Sequence, residues 1–586
     1  MKKYKLITIF CVLLGLSIVT LFNSCETINL DLQDDPNELS PESANPSFVL
    51  NSIIGTFGIQ HSTLDGVLAP MVRHNHLFGT YANSAGTSTM NFTWQQTYAI
   101  TTNLNFLKPI AEDRDLPQHV GVGQVIQAFA FTNLVDLIGT AAFSEAVNPE
   151  FENPKLDSGE SIYNAVYDIL DEAIVNLSKE NSVPFEDLYY NGDADKWIKL
   201  ANTLKIRMYV QSKLVATPAM VSSLNAIVAS GNFISDPVDD FQVIFGTNEN
   251  NPDVRHPYFQ QQYADGTNAG NVFQNNDFMN LLLNTKMGGA DPRTPYYFYR
   301  QDLNDPVAED FDHCIDEDGF AYCYLGGGYD GRDHGDDEGI ENDGEQRVAY
   351  GIYPGGGAYD SAGTQAEETE IANNSFVYDP NLDTGGDDGL TEEEQLALHV
   401  KTHLSTVNPS TVNSTNNGGA GVGPFLTASF THFLLAEAAL PVPQGMGASG
   451  DSAALLKKGM ELAFQKVADV SGIPFSTDTA ADFTTTEYID EVMAEFDAAS
   501  AEGKLEIIAR EFYIACFGNS VEAYNLYRRT GYPDFEPHVL PSGGDFPRSF
   551  FIPSSEIETN ANLTEADQKK LTDRVFWDTN PAGFID

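Results

Sequence analysis

The residues able to do chemistry in this 586-residue chain are above all carboxylates. Asp and Glu number 84 against 31 Lys and Arg, a formal net charge of -53. Two carboxyls roughly 5 to 10 Å apart across a cleft hydrolyse glycosidic bonds, so a secreted glycan- or peptide-degrading hydrolase is one class open to the chain, but with this many acids no pair stands out. There is no His-Glu-x-x-His, no Gly-x-Ser-x-Gly and no Gly-x-x-x-x-Gly-Lys-Ser/Thr, the spacings of zinc hydrolases, serine hydrolases and phosphate-binding loops. Oxygen ligands alternate at Asp379-x-Asn381-x-Asp383 as in a Ca2+ loop, and Asp316 and Asp318 before Gly319 share part of that pattern. Gly385 falls one place late and Leu390 stands where a bidentate Glu is wanted, so this is no EF-hand. Ca2+ bound within 301–390 is the candidate cofactor, and a solvated acidic loop is the alternative. His74 and His76 point to different sides of a helix, with no third ligand at a usual spacing. Tyr258, Tyr263, Tyr350, Tyr353 and Tyr359 lie in glycine- and asparagine-rich sequence, where ring faces are free to stack on a sugar or peptide. They are the candidate ligand-binding residues. Arg332-Asp333-His334 reads as an internal charge-and-hydrogen-bond lock for its glycine-rich loop.

Positioning such residues needs a scaffold, and residues 121–214 supply its pattern. Ile126, Ala130, Leu134 and Ile138 recur every fourth residue. Ile162, Val166, Ile169, Leu170, Ala173, Ile174 and Leu177 form a second stripe, and Trp197, Leu200, Ala201, Leu204 and Met208 a third. Each stripe predicts a helix with one buried face. Asp157, with Glu160 three residues on, predicts a reciprocal cap for the second helix. Helices interrupted by loops are expected from Ser47 to about Pro117, with Trp94 packed inside. Residues 231–420 are rich in Gly, Asn, Asp and aromatics, with many turn signals and one helix near Asn276–Leu283. Residues 291–300 alternate like a half-buried strand. Helical periodicity returns at 431–440, 452–470 and 506–535.

The N-terminus sets the compartment. Lys2, Lys3 and Lys5 precede an apolar run from Leu6 to Phe22, a secretory signal over 1–24. Phe22-Asn23-Ser24-Cys25 resembles a bacterial lipobox, so Cys25 is expected to be acylated and to anchor the chain by lipid. Residues 25–46 read as an acidic tether and 47–586 as a single domain. Export favours oxidation, so Cys314 and Cys323 are expected to form a disulfide, while Cys516 is expected to be a buried free thiol. The acidic surface argues against nucleic acid partners, which need a basic face.

The stretches QAFAFTNLVDLIGTAAFSEAV, SGESIYNAVYDILDEAIVNL and DADKWIKLANTLKIRMYVQSKL, in this order, resemble the SusD/RagB family, in its branch of SusD-like nutrient-binding outer-membrane lipoproteins. GYDGRDHGDDEGIENDGEQRVAYGIYPGGGAYD resembles that branch's glycine-rich segment, and Arg528-Arg529-Thr530-Gly531-Tyr532-Pro533 its C-terminal element. The resemblance implies a mostly α fold of stacked tetratricopeptide-like (TPR-like) helix pairs with a large loop-rich inserted region. It implies a binding protein and not an enzyme, lipid-anchored at the outer membrane and facing outside the cell. Such a protein captures an oligosaccharide or oligopeptide and delivers it to a SusC-like TonB-dependent transporter. A Ca2+-dependent structural surface protein is a further alternative.

Overall fold

The second and third apolar stripes fold as α4 (Gly159–Leu177) and α5 (Ala194–Gln211), and the first as α3 (Pro117–Ile138). In this computed structural model, residues 44–263, 272–284, 286, 288–299, 329, 331–336, 348–360, 417–477, 483–534 and 544–585 are described. Among them, α3 is long and apolar enough to cross a membrane, but its apolar window is wholly buried. Every residue from Gly121 to Ile138 is buried, so α3 is the central helix that the others wrap. Glycine permits the closest approaches. A methyl group on Gly121 would sit 2.7 Å from Leu177 Cγ, and one on Gly123 2.6 Å from Leu104 Cδ1.

Before α3 come α1 (Pro46–Leu68) and α2 (Asn91–Asp113). Their pairing is antiparallel: Gln60 of α1 donates to Thr97 and Ser52 lies beside Asn103. The same sense continues along the chain. Thr101 meets Gln127 between α2 and α3, Tyr163 meets Asp136 between α3 and α4, and Asp171 meets Lys205 between α4 and α5. The result is a stack of antiparallel helix pairs, extended by α6 (Pro218–Ser230) against α5.

The cap of α4 differs from expectation. Ser158 is the N-cap and accepts from the Ser161 N–H at 3.2 Å. Asp157 sits one place earlier, in a short strand β2 (Leu156–Ser158) paired antiparallel with β1 (Thr140–Ala142). Its carboxylate accepts from the N–H groups of Phe143 and Ser144 and from Ser144 Oγ, so it secures the preceding turn.

Beyond β3 (Phe241–Ile244), the expected helix near 276 is α7 (Asn276–Asn284). The expected strand over 291–300 is instead a helical turn at Thr294–Tyr297 running into a two-residue β4 (Phe298–Tyr299), which pairs with β5 (Ala349–Tyr350). Proline at the second position of the turn presets helical φ. Strand β6 (Val422–Leu426) pairs antiparallel with β3. Then follow α8 (Ala428–Ala439), α9 (Ser452–Ser471), α10 (Thr485–Ala498), α11 (Ala501–Ala515) and α12 (Ser520–Thr530).

Buried charges tie the two ends of the chain together. Asp136 of α3 accepts from the Tyr163 hydroxyl, Trp577 Nε1 (3.0 Å), Arg207 (3.0 Å) and Asn525 (3.2 Å). Arg207 also pairs with Glu522 of α12. Arg529 grips Glu437 through two hydrogen bonds of 2.8 Å, and Lys213 reaches the same carboxylate at 2.9 Å. Arg528 lies over the rings of Tyr524 and Trp577 and donates to the Asp136 and Arg548 carbonyls. The Arg528–Arg529 pair is therefore part of the core.

Candidate functional site

Three stretches distant in sequence lie side by side and carry His74, His76, Arg332, Asp333 and His334. His76 N–H donates to the Phe273 carbonyl, Arg332 N–H to the Gln274 carbonyl, and Asn276 N–H returns to the Arg332 carbonyl, each at 3.0 Å. Gly335 N–H donates to the Leu77 carbonyl at 2.9 Å. This frame is pinned by the buried Arg73–Asp277 pair at 2.7 Å. Asp333 accepts from Asn276 Nδ2 at 2.7 Å, and His334 Nε2 lies 2.9 Å from the Tyr81 hydroxyl. Arg332 lays its guanidinium 4.0 Å from the Phe273 ring centre and 5.3 Å from that of Phe78. The Arg-Asp-His segment is thus fastened to three separate elements.

The histidines here are structural. His74 sits between Tyr513 and Phe278 with its nitrogens 3.2 Å from the Tyr513 carbonyl and 3.3 Å from Ser520 Oγ. Burial pushes its imidazole down to about 3. His334 is pushed well down by burial, then by Arg73 and His76. Neutral, enclosed imidazoles with fixed partners cannot exchange protons with a substrate near neutral pH. Among the described residues, no three His, Cys, Asp or Glu side chains are grouped to hold a metal ion.

Three of the five candidate tyrosines are core residues and offer no ligand platform. Tyr258, Tyr350 and Tyr353 are 4 %, 0 % and 3 % exposed. Tyr258 and Tyr350 stack on each other, 4.0 Å between centres, with hydroxyls donating to Asp65 and Asn75. Tyr353 stacks on Tyr297. Burial raises all three hydroxyls well above their ordinary value. Tyr263 is half-buried, stacked on Phe259 and donating to the Tyr350 carbonyl, and Tyr359 lies against Tyr296. For Tyr258, Tyr350 and Tyr353 the physical reason is reach: these rings find their partners far along the chain, and a satisfied, covered ring has no face to offer. Cys25, Cys314 and Cys323 lie outside the described residues, as do Asp316, Asp318, Asp379, Asn381 and Asp383.

The frame does present an open aromatic edge that sequence reasoning missed. Phe78 is 38 % exposed, with His76 edge-on at 4.6 Å and the half-buried Phe273 at 5.9 Å. Arg332 backs both rings. All three tryptophans of the chain, Trp94, Trp197 and Trp577, are buried, so stacking on a ligand falls to phenylalanine or tyrosine. No local signal marks Phe78; its exposure follows from how the three stretches meet. A separate cavity of about 1280 Å³ lies near the C-terminus, lined by Arg548, Lys569, Arg574 and Asp578 among others. Its cations are spoken for: Arg548 pairs with Asp578, and Lys569 and Arg574 donate to the Ile138 and Asn580 carbonyls.

Two family models match the chain. One, described as starch-binding associating with outer membrane, covers residues 48–312, and the other, SusD and RagB outer membrane lipoprotein, covers 397–579. Among solved structures, a SusD/RagB family protein from Bacteroides thetaiotaomicron is 16% identical, with 92% of this chain and 100% of that one covered and a TM-score of 0.61. A SusD homolog from Bacteroides uniformis is 18% identical, covering 91% and 100%, TM-score 0.61. A chitin-binding SusD homolog from Flavobacterium johnsoniae is 17% identical, covering 91% and 99%, TM-score 0.60. No curated protein sequence matches.

Proposed function

The chain belongs to the SusD/RagB family of outer-membrane lipoproteins, and from that premise we propose that it captures a nutrient oligosaccharide outside the cell and hands it to a TonB-dependent barrel. The observation that carries this reading is the pair of family matches over 48–312 and 397–579. The starch-binding description of the first family model and a chitin-binding protein of the same fold favour a glycan over a peptide. Anchoring is through acylated Cys25, outward-facing. The chain acts by binding and not by turnover, in keeping with the burial of His74 and His334. Ca2+ held by the acidic sequence of 301–390 and a Cys314–Cys323 disulfide are part of the same proposal.

The open edge of Phe78 and Phe273 supplies the stacking surface. Binding of malto- and chito-oligosaccharides to the purified chain, measured by calorimetry, should show one of them held. Phe78→Ala should weaken it about tenfold, a loss of 1.4 kcal/mol. Hydrolysis of the bound glycan, or affinity for peptides alone, would overturn this reading.

A further inference from the structure

From Ser43 to Leu107 the chain has two residues among Asp, Glu, Lys and Arg, namely Asp65 and Arg73. Both are buried, 7 % exposed each, as are His61, His74 and His76. This stretch therefore lays a charge-free surface on a molecule of net charge -53. Helix α1 forms its outer edge. Phe48, Ser52, Gly55, Ile59, Ser62 and Gly66 recur every three or four residues, a single stripe opposite the buried Leu50, Ile53, Ile54, Phe57 and Leu64. Phe48 is 75 % exposed and Ile59 55 %, while the inner side of the helix is taken by α2, α3 and α12. Single exposed apolar residues are ordinary. Two on one stripe, in a stretch stripped of charge, match the composition of an interface core. A methyl group on Gly55 or Gly66 would touch nothing within 4 Å, so internal packing does not call for glycine there, although it costs roughly 1 kcal/mol against alanine.

We infer that this face of α1 is where the outer-membrane barrel docks, an inference that rests on the proposed delivery to such a partner. The stretch from Cys25 to Pro46 spans at most ~75 Å when extended. With Cys25 acylated, α1 begins 21 residues beyond the anchor and stays within reach of a protein embedded in the bilayer. A lipid surface fits less well. The stripe has no basic side chain for anionic headgroups, and small and hydroxyl residues separate Phe48 from Ile59 where an interfacial helix needs a continuous apolar face. A second copy fits less well too, because two chains of this charge repel once their surfaces come within the screening length of about 8 Å.

The test uses the full lipidated chain in its native membrane, with Phe48→Glu/Ile59→Glu, the exposed control Val175→Glu on α4, and a photo-crosslinking residue at Ser62. The expected result is that wild type and control co-purify with a barrel identified by mass spectrometry, that the double variant loses at least tenfold of it, and that Ser62 crosslinks to that barrel. The double variant should keep wild-type melting temperature and glycan affinity. Co-purification undiminished in the double variant, equal loss in the control, or a crosslink to a second copy or to lipid would overturn the α1 assignment while leaving the functional reading intact. Wild type that brings down no barrel would overturn the delivery reading itself.

Discussion

At the scale of single residues, Asp136 bears the most. Its carboxylate is fully buried and takes hydrogen bonds from four side chains that come from α4, α5, α12 and the C-terminal segment. A buried ion set like this is weak evidence of net stabilisation, since desolvation offsets the Coulomb gain. Breaking it is another matter. Asp136→Asn keeps the shape but leaves Arg207 with Glu522 as its remaining counter-charge, and removing one partner of such a set costs about 3–5 kcal/mol. Urea denaturation should show that loss. A cost below about 1 kcal/mol would mean that water or repacking replaces the carboxylate. Arg529 and Glu437 obey the same logic. Burial would raise the Glu437 carboxyl, but Arg529 and Lys213 outweigh it and hold it at about 2.

At the scale of elements, the start of α4 separates two arrangements one residue apart. With Ser158 as cap, Ser158→Ala should cost about 1 kcal/mol while exposed Glu160→Ala should cost under about 0.5 kcal/mol. A neutral Ser158→Ala beside a Glu160→Ala loss of about 1 kcal/mol in thermal denaturation would restore the reciprocal box of Asp157 and Glu160. That one-residue ambiguity shows what a sequence tells. The helices within 121–214 and those at Ala428–Ala439, Ser452–Ser471, Ala501–Ala515 and Ser520–Thr530 were legible because a buried stripe repeats over several turns, whereas α10 was not read, and Trp94 and Cys516 were legible as core residues. The strands were not, being two to five residues long, too short for an alternation to show. The tyrosines misled for a different reason. Glycine-rich surroundings look alike whether a ring faces water or core, and what buries Tyr258 and Tyr350 lies 193 and 275 residues away at Asp65 and Asn75. Phe78 went unread because its exposure is a property of three stretches meeting.

At the scale of the whole molecule, acid acts through opposing effects that can be separated. Burial, with Arg207 adding to it at His61, holds His61, His74 and His256 at about 3 against an ordinary 6.5. Between those values the unfolded chain binds protons that the folded chain does not, so these groups make stability fall as pH drops from about 6.5 toward about 3. Two effects run the other way. Burial raises the Asp65 and Asp240 carboxyls above 3.8, so the folded state takes up those protons first. Protonating surface carboxylates also relieves the self-repulsion of a chain at -53. The net slope with pH therefore does not isolate the histidines, but a difference between two proteins does. His74→Gln keeps a polar group near the Tyr513 carbonyl and removes one imidazole's proton linkage. It should destabilise the protein most at pH 7 and progressively less toward pH 4, because only the wild type loses this contribution on the way down. Melting curves of both proteins across that range give the gap directly. A gap that stays constant would mean that the His74 imidazole titrates alike folded and unfolded, and that its burial between Tyr513 and Phe278 does not keep it neutral.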